Sequence, residues 1–468
     1  MHAGLGTSHS SKGSEFYLGF MQNGLTVDRL TAVPLYITTD EPHTVNFSIT
    51  AIYPKFIFYG NVSYGNVTTV HLPRAVIVSA QRTAPGREKL KGVYVKAEDG
   101  KTISVIGSNA VQATTDSFVA LPAVDNPLKV RERYTIISNN FERLSSIHAI
   151  VYSEFLLVGS RNNTKVRITT NSNSSIEVPS IYNPSLLIAT AGQQVEFILN
   201  WMETLLITST RDLTGTVISS DEPISVFTGH ECGQVPADVG TCDHLVEQVP
   251  PQHTWGVQFF TAPLKRESGD LFKMATTNAI KTEVNITCTE MGGNRPRSTF
   301  RTLSLGRNEI FSFEQGPLTF CCIESTNPLL VMQLGKGSSL NSGLGDPLLV
   351  TVPAVQQYAN NFTIVQDLLS SDHYLNIIVP VQYFNDTQQG HSRIRINNNT
   401  ASRSWTAIFC STGQICAYGA QVLLKDPMAT VLHEDPEAGI SVSVYGFGND
   451  VAYGYSAGYN LDPIACKS

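Results

Sequence analysis

Ser219-Ser220-Asp221-Glu222-Pro223-Ile224-Ser225-Val226-Phe227 is a polar turn that runs into an apolar–polar–apolar alternation. Proline ends a helical run, and alternation with period two belongs to a strand with one buried face. The same device recurs outward along the chain. Ile103-Ser104-Val105 follows Glu98-Asp99-Gly100, Leu329-Leu330-Val331 follows Thr326-Asn327-Pro328, and Ile440-Ser441-Val442 follows Pro436-Glu437-Ala438-Gly439, in steps of 121, 105 and 111 residues.

Two further registers keep the same step. Val45-Asn46-Phe47, Val166-Arg167-Ile168, Val284-Asn285-Ile286 and Ile394-Arg395-Ile396 lie 121, 118 and 110 residues apart. Leu121-Pro122, Val249-Pro250 and Val352-Pro353 each precede a β-rich start, at Tyr134-Thr135-Ile136-Ile137, Val257-Gln258-Phe259-Phe260 and Phe362-Thr363-Ile364-Val365; Phe16-Tyr17-Leu18-Gly19-Phe20 fits the same slot. The pattern predicts an all-β fold of tandem β-sandwich modules in a four-fold internal repeat of about 110 residues. The expected division is a disordered segment at 1–13, then repeats at 14–130, 131–254 with a Cys232–Cys242 loop, 255–360 and 361–468. A single core stops growing near roughly 250 to 300 residues, so several modules suit a chain of 468.

Charge narrows the function. Only 15% of residues are charged, with 39 acidic against 32 basic and a net charge of -7. No Lys/Arg run exceeds two, so nothing is set to neutralise a phosphate backbone, and nucleic acid is not an expected partner. The most apolar stretch, near Ile147–Val158, is interrupted by Glu154 and falls short of the ~20 residues of a membrane span. Residues 1–15 are polar and lack the apolar core of a secretory signal. Two other features point outside the cell all the same. Glycosylation triplets stand at Asn46, Asn61, Asn66, Asn162, Asn173, Asn285, Asn361, Asn385 and Asn398. Eight cysteines, an even number, fall into loop-closing spacings: Cys232 with Cys242, Cys410 with Cys416, and Cys288 ahead of Cys321 and Cys322, with Cys466 near the end, the partners of these last four left open.

The densest chemistry lies in Gly229–Pro251, GHECGQVPADVGTCDHLVEQVPP, followed by Trp255. His230, Glu231, Asp238, Asp243, His244 and Glu247 are all able to ligate a metal or move a proton, yet no established metal spacing is present and no cofactor is expected. Pro236 and Gly240 argue for a loop, closed by Cys232 and Cys242, whose polar residues satisfy its own backbone. On this reading His230, Glu231, Asp243, His244, Glu247 and Trp255 are the candidate binding residues. Tyr445, Phe447 and Tyr453 are further aromatic candidates, weighed against plain core packing.

The segments EFYLGFMQN from Glu15, SSDEPISVFTGHEC from Ser219 and CDHLVEQVPPQHTWG from Cys242 together resemble the IgG-Fc-binding domain of the IgGFc-binding protein family. The resemblance implies an extracellular, disulfide-bonded, non-enzymatic binding or adhesion module. It carries over the Cys232–Cys242 bridge and Trp255, and names immunoglobulin Fc or a mucin-like glycoprotein as the expected partner. The competing classes are a metal- or carboxylate-dependent glycan hydrolase centred on residues 229–251 and a structural spacer.

Overall fold

A computed structural model describes residues 10–24, 30–79, 88–111, 114–123, 131–140, 150–171, 174–177, 188–237, 240–291, 296–367, 370–384, 393–400 and 404–462. These residues form antiparallel strands joined by turns and short 3-10 segments. Residues 10–13, placed in the expected disordered segment, are paired: Ser10 bridges Asn460 and Gly13 bridges Ile103.

The first eight principal strands are Glu15–Leu18, Leu30–Thr38, Val45–Ala51, Phe56–Val62, Thr68–Leu72, Val93–Ala97, Ser104–Ser108 and Ser117–Val119. The first, sixth, third and fourth form one sheet in that order, and the fifth, second, seventh and eighth form another. Glu132–Thr135, Ser153–Gly159, Thr164–Thr169, Gln194–Leu199, Thr204–Ser209, Val217–Ser220, Ile224–Gly233 and Asp243–Gln248 pair in the same order. So do the strands of residues 256–352, except that sixth and seventh are one 17-residue strand, Thr319–Gly335, which serves both sheets. In residues 361–456 the order returns, with Thr406–Phe409 added outside Ile415–Leu423.

The recurring sequence registers occupy fixed places in this order. Val45, Val166, Val284 and Ile394 lie on third strands, and Val105, Val226, Val331 and Val442 on seventh strands. Val45–Ala51 shows why: Val45, Phe47, Ile49 and Ala51 are buried, while Asn46 between them is exposed, as one wet and one dry face require.

Cores do not stop at the group boundaries. Leu156, Phe227 and Val246 of the second group join the first core. Ala275, Leu330 and Leu349 of the third join the second. Leu264, Leu348 and Val350 pack on Tyr445 and Phe447 of the fourth, and the fourth core takes in Tyr36 and Ile106 of the first. The four groups thus close a circuit.

At its middle lie the four eighth strands, Ser117–Val119, Asp243–Gln248, Leu348–Val352 and Val451–Ser456, every residue of them buried. Among the described residues each pairs with its seventh strand alone, and a strand at a sheet edge carries a row of unpaired N–H groups that burial makes costly. Asp116 answers this need. Its Oδ1 accepts from the backbone N–H of Ser117 at 2.9 Å and Gly454 at 3.1 Å, and its Oδ2 from Val246 at 3.1 Å and Leu349 at 3.2 Å. One donor comes from each group. Asp243 repeats the device, accepting from Thr115 at 2.7 Å, His244 at 2.8 Å and Ala452 at 3.0 Å, and Glu247 accepts from Thr351 at 2.9 Å.

Asp116→Ala leaves four buried donors without an acceptor, at about 1–3 kcal/mol each. Denaturant unfolding of the variant should show a loss of at least ~4 kcal/mol, with Asp116→Asn, which keeps one acceptor oxygen, falling between. A loss under ~1 kcal/mol for Asp116→Ala would contradict this role.

Candidate functional site

The stretch expected to be a loop, residues 229–251, is about half strand. Ile224–Gly233 and Asp243–Gln248 pair antiparallel, with His230 opposite Leu245 and a register shift between His230 and Gly233. The connection shrinks to 234–242, closed by the Cys232–Cys242 disulfide. Strand pairing is so close here that a Cβ on Gly229 would stand 1.7 Å from the Leu245 carbonyl oxygen, which explains the glycine.

All six candidate binding residues, His230, Glu231, Asp243, His244, Glu247 and Trp255, are buried, at 3% exposure or less. In the folded chain their side chains lie inside the molecule. Pro236 and Gly240 misled the reading by marking only the short connection, whereas the flanking polar residues belong to strands that serve the junction. Asp238 lies outside the described residues. Tyr445, Phe447 and Tyr453 are also buried, and core packing accounts for them.

Each side chain has a local task. Glu231 accepts from the Gln22 amide and from the Tyr152 N–H at 3.0 Å, joining the second group to the first. The His230 ring accepts the Cys232 N–H on Nδ1 at 3.1 Å. Asn109 donates one amide hydrogen to the Met21 carbonyl at 2.8 Å and lies 3.2 Å from His244 Nε2, whose Nδ1 faces Glu154 at 4.0 Å. Trp255 Nε1 donates to the Pro250 carbonyl at 3.0 Å.

Burial sets the protonation states. It pushes the Glu247 carboxyl up to about 8 and Glu231 up to about 7, against the lowering effect of their hydrogen-bond donors. It pushes His230 down to about 3 and His244 to about 4, so both rings are neutral near pH 7. Asp116, Asp243 and Glu154 are all raised well above the carboxylate range by burial. Perturbed groups of this kind often mark catalysis, but here they are walled off from solvent. His230, Glu231, Asp243, His244 and Glu247, on which a hydrolase reading centres, are all buried. Among the described residues, Cys322, Glu324 and Cys410 are the group of three whose ligating atoms lie within 4.8 Å of one another, and Cys410 is already bonded to Cys416.

The cysteines resolve further. Cys288 pairs with Cys321, and Cys410 with Cys416. Cys322, expected in a disulfide, is a buried free thiol, because alternation along Thr319–Gly335 turns it to the face opposite Cys321. Cys466 lies outside the described residues.

What remains at the surface differs in kind. A groove of about 360 Å3 between the third and fourth groups is lined by Pro263, Lys265, Phe320 and Tyr374 and edged by Met291, Leu318 and Leu423, which are 38%, 50% and 48% exposed. Of the glycosylation triplets, Asn46, Asn61, Asn66, Asn162 and Asn398 are exposed and Asn285 and Asn361 half-buried; Asn173 and Asn385 lie outside the described residues. Asn46 and Asn61 stand directly opposite each other on paired strands. Among the described residues no helix is long and apolar enough to cross a membrane.

A family model described as IgGFc binding protein matches residues 116–446, from the junction aspartate to the seventh strand of the fourth group. The chain belongs to the IgGFc-binding protein family. The human IgGFc-binding protein is 27% identical over 175 residues, which are 37% of this chain and 3% of that protein, so this family member spans a small part of its relative. A major pilin of Streptococcus pyogenes aligns over 95% of this chain and 98% of its own at 7% identity, with a TM-score of 0.15. A rhamnosidase of a Bacillus species aligns over 78% and 56% at 10% identity, with a TM-score of 0.12. Likenesses that weak carry no argument about this IgGFc-binding family fold.

A carboxyl that holds its proton more tightly folded than unfolded costs stability as pH rises from its unfolded value through its folded one. The two depressed histidines act the other way, their contribution being lost as pH falls below about 6.5. Above that pH the histidines add no slope, and the raised carboxyls set the fall. Melting temperature should fall from pH 6.5 to 8, and Glu247→Gln should flatten the slope by up to ~1.4 kcal/mol per pH unit, read by thermal unfolding across that range.

Proposed function

We propose that this chain is an extracellular, non-enzymatic recognition module whose partner is a protein or glycoprotein, immunoglobulin Fc being the partner that the name of the human relative suggests. The reading rests on family membership across residues 116–446 and on one structural observation. The polar chemistry of the stretch is turned inward, while Met291, Leu318 and Leu423 stand exposed around one groove inside the matched region. An exposed apolar cluster with aromatic walls and a polar rim is the form that partner-binding surfaces take.

The chain as a whole is read as four copies of one sandwich unit, near 14–130, 131–254, 255–360 and 361–468. The recurring pairing order supports this division. The extracellular assignment is supported by the Cys232–Cys242, Cys288–Cys321 and Cys410–Cys416 disulfides and by described sequons that all reach the surface. Glycans at those sequons would supply solubility that a 15% charged surface does not.

Two measurements test the reading. Replacing Leu318 and Leu423 together with Asp should weaken binding to an immobilised Fc fragment at least 10-fold, about 1.4 kcal/mol, with the melting temperature unchanged. An unchanged affinity, or no binding by the unaltered chain, removes the groove or the Fc assignment respectively. Glycopeptide mapping of secreted material should find Asn46 and Asn61 occupied on different molecules but not on the same one. Directly opposed side chains have Cβ atoms only about 4.5–5.5 Å apart, too close for two glycan stems.

A further inference from the structure

Cys322 is the free cysteine among the described residues, and its surroundings are unusual for a free thiol. Its Sγ lies 2.7 Å from Sγ of Cys410, which is itself bonded to Cys416 six residues on. Cys322 and Cys410 share an apolar cluster between the third and fourth groups, with Phe260, Phe320, Tyr358 and Ile408 around them. Cys416 is half-buried, and residues 411–414 beside it are exposed. The arrangement is held from both sides. Glu324, two residues after Cys322, accepts the Ser411 N–H at 3.1 Å and the Ser411 hydroxyl at 2.6 Å, pinning the 410–416 turn to the strand that carries the thiol. The Gln258 amide lies 3.8 Å from the Cys410 sulfur.

We propose that Cys322, Cys410 and Cys416 form a thiol–disulfide exchange site, whose product thiol at Cys416 is a covalent attachment point for disulfide-bearing partners. The Cys322 thiol gives its proton to solvent, and its thiolate attacks Cys410 Sγ. The Cys322–Cys410 bond forms as the Cys410–Cys416 bond breaks, and Cys416 leaves as a thiolate. One thiol and one disulfide stand on each side, so this step needs no oxidant. The half-buried Cys416 thiolate, beside the exposed residues 411–414, then attacks an external disulfide, forming a mixed disulfide and releasing one external thiolate. The exchange also trades a six-residue covalent loop for one of 88 residues, which removes more freedom from the unfolded chain. Burial holds the Cys322 thiol protonated, with Glu324 adding to the effect, so the site is slow at neutral pH and quickens as pH rises.

The full chain, treated under native conditions with oxidised glutathione between pH 7 and 9, acid-quenched and peptide-mapped, tests this. One glutathione is expected on Cys416, accompanied by an equal amount of Cys322–Cys410 linked peptide, with a rate rising about 10-fold per pH unit. Cys322→Ser should lower the Cys416 adduct at least 10-fold. Glutathione on Cys322 with Cys410–Cys416 intact, or no adduct at either position, overturns the proposal. Cys416→Ser gives a second reading should Cys322→Ser fail to fold. Refolded with oxidised glutathione as oxidant, it should yield the Cys322–Cys410 disulfide, and recovery of both as free thiols would sink the idea.

Discussion

A sandwich sheet normally leaves its last strand half in water, where solvent satisfies the open edge. Here four such edges are pressed together in one buried centre, and the backbone N–H groups along them must find acceptors or the packing is lost. Asp116 gives both oxygens to that need, with donors from all four groups, and Asp243 and Glu247 complete the set. A neutral apolar centre would bring the strands equally close while leaving these donors bare. The acidic residues are therefore what lets the sheets meet at all, and the shared cores follow from that meeting.

This arrangement explains why Asp243–Gln248, within the string CDHLVEQVPP that helps carry the family resemblance, is buried. Cys242 closes a bridge, Asp243 and Glu247 hold neighbouring backbones, and Gln248 accepts the Leu121 N–H at 2.9 Å.

Strand identity was readable where a single rule governs. Alternation marked the third strands at Val45, Val166, Val284 and Ile394 because each has one face in a core and one in water. That rule found the start of Ile224–Gly233 but not its end, nor Asp243–Gln248: both strands are buried on both faces and carry His, Glu and Asp among apolar residues. Polar residues there looked like loop chemistry, since burial of both faces depends on distant groups that local spacing does not reveal. One signal was present. An aspartate stands at or just before each eighth strand, at Asp116, Asp243, Asp346 and Asp450. The first three are buried and the last is exposed, so the register alone marks the position without its role. Cys322 was open to the same reasoning: it sits next to Cys321 on a strand, so the two face apart and cannot share a partner side.

The uninterrupted strand Thr319–Gly335 gives the third group a mechanical character that its neighbours lack. Elsewhere a turn separates the sixth strand from the seventh, so two sheets can shear against each other at that point. In the third group a single backbone runs from the groove residue Phe320 to Leu334, opposite Leu349 at the central junction. Tension applied at the groove would pass along covalent bonds and a ladder of hydrogen bonds into the middle of the molecule.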